Sequence, residues 1–156
     1  MTNALAVGDK APNFNLATDG EGKVSLKDFL GKTLVLYFYP KDDTSGCTRE
    51  AIDFSAAASK FKKLGVCVVG ISKDSVAAHD KFKAKHDLSI TLASDPEGKI
   101  VESYGSWVEK TLYGRKYMGI DRSTFLIDGK GRISRIWRKV KVPGHVEEVL
   151  GHIKAQ

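Results

Sequence analysis

The chain has 156 residues, 42% of them hydrophobic and 28% charged, which is the ordinary size and make-up of one globular domain with a real core. A disordered or fibrous protein is excluded, and no stretch approaches the roughly 20 apolar residues of a membrane-spanning helix. The opening residues, MTNALAVGDKAPNF, lack a basic start followed by a long apolar core, so a cytoplasmic protein without a secretory leader is expected. Two cysteines, Cys47 and Cys67, are too few for a disulfide framework, and no Cys/His spacing points to a metal site or another cofactor. The net charge of +6 gathers in KGRISRIWRKVKV, residues 130–142. Without a nucleic-acid-binding motif around it, that run reads as the charged face of an edge strand, and no nucleic-acid partner is expected.

No repeat, low-complexity tract or linker interrupts the sequence, so residues 1–156 read as a single domain. Short N-terminal strands near Asn13–Leu16 come first. Leu34–Tyr39, LVLYFY, is uninterrupted apolar sequence and suits a central strand covered on both faces. Cys47, Ala51, Phe54, Ala58 and Phe61 then recur at spacings of four and three, which predicts one helix, ending near Gly65, with those residues on its buried face. Val66–Ser72, VCVVGIS, is a second apolar strand, and the strand-helix-strand order implies parallel neighbours with a right-handed crossover.

Asp74 or Ser75 can cap a further helix that runs to about His86, followed by a strand near Ile90–Ala93 and a short helix opened by Pro96. Residues 105–121 hold Trp107, Tyr113, Tyr117 and three glycines and read as a long loop whose aromatics either frame the pocket or only pack the loop onto the sheet. STFLIDGKGRISRIW is a hairpin turning around Asp128–Gly131, and Val146–Lys154 closes the chain as an amphipathic helix. The sum is an α/β fold with a central mixed β-sheet flanked by helices.

In such sheets, ligands and catalytic groups collect beyond the carboxyl ends of the parallel strands, where helix N-termini also point. Cys47 is predicted to lie there, just past the strand that ends near Tyr39. Unpaired backbone N–H groups and the helix dipole favour an anion at such a place, and the thiolate is the reactive form of cysteine. Thr44 can offer a hydroxyl to the sulfur or to a bound oxygen, while Pro40 stiffens the loop and removes one donor.

The pattern Pro40-x-x-x-Thr44-x-x-Cys47 inside FYPKDDTSGCTRE resembles the active-site motif of the peroxiredoxins. YGRKYMGIDRSTFLID, residues 113–128, resembles the bacterioferritin comigratory protein or peroxiredoxin Q subfamily, and the resemblance runs from VGDKAPNFNL to the last helix. It implies a thioredoxin-like fold with N-terminal strand additions, and a thiol-dependent peroxidase acting on hydrogen peroxide and organic hydroperoxides. Cys47 would be the peroxidatic cysteine, with Thr44 and Arg122 completing its pocket, Pro40 shielding it and Glu50 orienting the arginine. The chemistry asks for such residues, because the departing oxygen gains negative charge as the O–O bond breaks and a guanidinium offers several donors in one plane. Apart from the resemblance, Arg122 reads equally as a surface ion pair with Asp121 or Asp128.

Many members of the subfamily carry a second, resolving cysteine five residues after the first, and here that position is Ile52. Cys67 is predicted near the start of its strand, about 15 Å or more from the catalytic end at roughly 3.3 Å per residue, while a disulfide needs Cα atoms within about 7 Å. Cys67 therefore reads as a core residue, and a one-cysteine cycle with an external thiol such as thioredoxin, glutaredoxin or glutathione is expected, in a monomer or weak dimer. A thiol–disulfide oxidoreductase would need a second nearby cysteine. A peroxide sensor passing its oxidation to a partner protein is the competing reading from another class. His79, His86, His145 and His152 fall in pairs seven apart and read as solvated or helix-face histidines, without an acidic cluster to make them metal ligands.

Overall fold

The structure, a computed structural model, describes residues 5–156. Its frame is a seven-stranded sheet built from β1 (Asn15–Thr18), β2 (Gly22–Ser25), β3 (Thr33–Phe38), β4 (Val66–Ser72), β5 (Thr91–Ser94), β8 (Ser123–Ile127) and β9 (Ile133–Trp137). The strand order is β2-β1-β5-β4-β3-β8-β9. The three central strands β5, β4 and β3 are parallel, and every other pairing is antiparallel, so the sheet is mixed, as expected. The basic run straddles β9, an edge strand: Arg135 lies on the strand itself, where charge discourages further pairing, while Lys130 and Arg132 precede it and Arg138, Lys139 and Lys141 follow it.

Leu34–Tyr39 is buried throughout, because side chains from alternate positions enter two separate cores on the two faces of the sheet. Val35, Tyr37 and Tyr39 meet Phe54 and Phe61 on one face. Leu34, Leu36 and Phe38 meet Tyr104 and Phe125 on the other. An element buried on both sides has no polar face to show, which is why LVLYFY is unbroken.

The helix expected from Cys47 to Gly65 is two helices, α1 (Ser45–Ala56) and α2 (Ala58–Lys63), divided at Ala57, whose ψ of 0° leaves the helical range. The break shifts the buried stripe by one position: Ala57, in place of the expected Ala58, packs on the core, and Phe54 and Phe61 remain in contact with ring centroids 6.1 Å apart. Helix α3 (Val76–His86) begins where Ser75 accepts a hydrogen bond from the Ala78 N–H, as the capping signal indicates. Helix α5 (His145–Lys154) follows its predicted place, whereas α4 (Lys99–Ser103) begins at Lys99 with left-handed Gly98 as its N-cap, not at Pro96, which lies in the turn before it.

Residues 105–121 differ most from expectation. They are an antiparallel ribbon, β6 (Trp107–Leu112) and β7 (Arg115–Ile120), set apart from the main sheet. Tyr113 and Gly114 turn the chain with positive φ at both positions, the two-residue geometry that matches strand twist. The ribbon is tied to the body at its base, where the Lys73 ammonium lies 4.4 Å from the centroid of the Trp107 ring. Its tip leaves Leu112, Tyr113, Tyr117 and Met118 exposed, and the hollow that Tyr113 and Tyr117 line is completed by Leu112, Arg115 and Lys116 of the ribbon itself.

Candidate active site

Strand β3 ends at Phe38 and helix α1 begins at Ser45, and the loop between them carries Pro40 and Thr44. Cys47 falls in the first turn of α1, at the carboxyl end of the parallel strands, with only 2% of its surface exposed. Arg122 reaches it from the short connection between β7 and β8. Its Nη2 donates to Cys47 Sγ at 3.3 Å, and its Nη1 donates to Glu50 Oε1 at 2.7 Å. Arg122 is thus paired with Glu50, one helical turn beyond Cys47, and the alternative of a surface pair with Asp121 or Asp128 is not the geometry found.

Glu50 is fully buried and its second carboxylate oxygen has no hydrogen-bond partner among the described residues. Burial pushes its carboxyl up to about 7, against the opposing pull of Arg122. The guanidinium moves upward in turn: burial opposes its charge, but Glu50 and the Cys47 sulfur outweigh that cost. Removing either member of such a pair leaves a charge buried without a counterpart.

Approach of the guanidinium depends on Gly46, because a Cβ there would meet Arg122 Nη2 at 3.1 Å. Behind the pair, Tyr37 stacks on Phe54 with centroids 4.6 Å apart, and its ring lies against Gly70, where a Cβ would come within 2.7 Å. Neither glycine stands out in the sequence, since neither sits in a recognisable turn. His145 packs edge-on against Phe54 and bonds Thr124 Oγ1 at 2.8 Å, and burial pushes its pKa down to about 4.

The profile of the AhpC/TSA family matches residues 7–136. The chain belongs to the AhpC/TSA family. Among curated relatives of this peroxiredoxin, a bcp-named protein of Coxiella burnetii is 54% identical over 96% of this chain and 99% of its own. Peroxiredoxin Bcp of Bacillus subtilis is 48% identical over 96% of each chain. Among solved structures, a cysteine-to-serine mutant of Xylella fastidiosa PrxQ superposes with a TM-score of 0.93 at 40% identity, covering 99% of this chain and 98% of that one. Xanthomonas campestris peroxiredoxin Q gives 0.88 at 42% identity, covering 92% and 90%. The fold is therefore the thioredoxin-like fold of the peroxiredoxins, and the protein is a thiol-dependent peroxidase, an oxidoreductase that acts on peroxides with a thiol as reductant.

The peroxiredoxin structure brings Cys47, Arg122 and Glu50 into direct contact. Pro40 and Thr44 lie in the adjoining loop, both exposed. The Thr44 hydroxyl donates to the Lys41 carbonyl at 2.9 Å and makes no bond to the Cys47 sulfur, one of the two roles expected of it. Ile52, which stands at the position the resemblance assigned to a resolving cysteine, is 40% exposed on α1. Cys67 is half-buried and pairs in register with Leu34 at the far end of the parallel strands, on the opposite face of the sheet from Cys47. Two of the histidines contradict the solvated reading: His79 and His145 are both buried and hydrogen-bonded to protein groups. Among the described residues no helix is long and apolar enough to cross a membrane.

Proposed function

We propose that Cys47 is the peroxidatic cysteine of this peroxidase, with Arg122, Thr44, Pro40 and Glu50 as its supporting residues, acting within one domain. The observation that carries this reading is the single guanidinium that donates to Cys47 Sγ and Glu50 Oε1 together. The Cys47 thiolate attacks one peroxide oxygen, the O–O bond breaks, and the sulfur is oxidised by two electrons to a sulfenic acid. The other oxygen leaves as hydroxide or alkoxide and takes a proton to become water or an alcohol. Arg122 balances the charge first on sulfur and then on the departing oxygen, from a position that Glu50 fixes beforehand. Thr44 spends its proton on the Lys41 carbonyl, so the hydroxyl oxygen keeps lone pairs able to accept from a peroxide O–H. Pro40 carries no N–H to compete for the substrate.

Resolution follows a one-cysteine cycle. An external thiol attacks the sulfenic acid, forming a mixed disulfide and releasing water, and a second thiol frees Cys47 by forming a disulfide with the first. The placement of Cys67, far from Cys47 and across the sheet, supports this. Thioredoxin, glutaredoxin and glutathione all have the required chemistry, in a cytoplasmic setting that keeps thiols reduced. One described neighbour, the Xanthomonas campestris bacterioferritin comigratory protein, has alkyl peroxide reduction activity; hydrogen peroxide and alkyl hydroperoxides are the proposed substrates here, for a monomer or weak dimer.

The test is intact mass after one equivalent of hydrogen peroxide with a sulfenic-acid trap present. The native chain should gain the trap and Cys47→Ser should not. Cys67→Ser should turn over repeatedly with an external thiol, and loss of turnover in that variant would overturn the one-cysteine cycle.

A further inference from the structure

The loop that delivers Cys47 is held by a buried polar network on its other side. Asp42, 8% exposed, stands in the middle of that loop. Its Oδ1 accepts from Tyr39 Oη at 2.6 Å, its Oδ2 faces His79 Nδ1 at 2.6 Å, and its backbone N–H donates to Asp74 Oδ2 at 2.8 Å. His79 is fully buried on α3, and its Nε2 faces the Ala93 carbonyl oxygen of β5 at 3.0 Å. A carbonyl has no proton to give, so Nε2 carries one. The short Nδ1–Oδ2 contact then needs a second proton between its two atoms. Without it a nitrogen lone pair would face a carboxylate in a buried site.

The next residue is also gripped by α3. Asp43, with a left-handed φ of 60°, accepts from Lys85 Nζ at 2.7 Å and His86 Nε2 at 2.9 Å. A non-glycine residue in that region persists where its surroundings hold it there. The strained step of the loop is therefore clamped from one helix at two consecutive positions, four and five residues before Cys47.

We propose that His79 is a positioning residue for the peroxidase: one proton shared with Asp42 latches the Cys47 loop to α3 and β5, and its loss slackens the loop and slows attack on peroxide. This rests on the assignment of Cys47 as the nucleophile. The groups facing the imidazole are Tyr39 at the end of β3, Asp42 in the loop, Asp74 after β4 and the Ala93 carbonyl of β5. On its own helix the nearby Lys83 is drawn away to Asp19 at 2.7 Å. Burial works against the imidazolium, but the Asp42 bond and charge, with smaller help from Ala93 and Asp74, outweigh it and raise the His79 pKa. A raised histidine pKa keeps the latch fully closed below the ordinary histidine value of 6.5 and puts its release above that value.

The experiment follows two quantities in the native protein from pH 6 to 10: the ring nitrogen shifts of His79 by NMR and the second-order rate constant for oxidation of Cys47 by hydrogen peroxide. The rate constant should fall as His79 loses its proton, a fall that ionisation of the thiol itself cannot cause because that supplies more nucleophile. His79→Gln, which cannot donate to both Asp42 and Ala93, should oxidise roughly tenfold more slowly or worse and lack the alkaline fall. A rate that drops before His79 titrates, one that holds steady after it has, an imidazole still protonated at pH 10, or a His79→Gln variant with the native rate and profile would each overturn the latch. Should His79→Gln not fold, the two native titrations decide alone. A native Cys47 that peroxide leaves unoxidised would instead remove the assignment of the nucleophile, a separate outcome.

Discussion

The two cysteines of this chain differ in almost everything except the sheet they share. Cys47 begins a helix beyond the carboxyl end of the parallel strands, under a guanidinium 3.3 Å away and beside a buried carboxylate. Cys67 lies near the start of β4, on the opposite face, with apolar neighbours and, among the described residues, no charged group bonded to it. A thiol becomes a nucleophile through the charges and dipoles set around it, and those accumulate at one end of a parallel sheet and not the other.

Substitutions sharpen that contrast. Arg122→Ala should cost the rate of Cys47 oxidation the most short of losing the cysteine, roughly 10²–10³-fold as for other preorganised donors. Arg122→Lys should recover only part, because an ammonium cannot hold sulfur and Glu50 in one plane. Stopped-flow oxidation under single-turnover conditions measures both, and an unchanged rate in Arg122→Ala would remove Arg122 from the chemistry. Glu50→Gln should slow oxidation by roughly tenfold at neutral pH, since it keeps an acceptor for Arg122 but gives up the charge.

Glu50 also has a stability signature. Its carboxyl is raised from 4.5 to about 7, so its contribution is full below pH 4.5 and is lost as pH rises through 7. Urea denaturation across that window should show the loss in the native protein and a flatter curve in Glu50→Gln. His145 runs the other way. Burial takes it from 6.5 to about 4, so stability is full above pH 6.5 and drains as pH falls toward 4, by no more than roughly 3 kcal/mol. His145→Gln should abolish that acid-side decline, and a native protein whose stability is level between pH 6.5 and 4 would contradict the assignment.

The smallest effects belong to positions that only make room or only pack. Gly46→Ala should slow oxidation several-fold by pushing the Arg122 guanidinium back a few tenths of an ångström, with the thermal midpoint nearly unchanged. Cys67→Ser should leave the oxidation rate at its native value and cost about 1 kcal/mol of stability or less at a half-buried site.

Local pattern along the chain is enough to set several features. The unbroken apolar runs of β3 and β4, the Ser75 cap of α3, the turn at Asp128–Gly131 and the place of Cys47 at a strand-to-helix junction all follow from residue spacing and backbone preference, and the structure keeps them. The ribbon of residues 107–120 was obscured because Tyr113-Gly114 is an unfamiliar two-residue turn and its strands pair with each other outside the sheet. The break at Ala57 was invisible because no proline or glycine marks it. It is folding that joins Arg122 to Glu50, 72 residues away, and His79 to Asp42 across 37 residues, and that brings the Arg122 guanidinium so close to Gly46 that a Cβ there would crowd it. Those contacts join elements that share no local sequence, and a charge reveals its partner only when folding has removed the water between them.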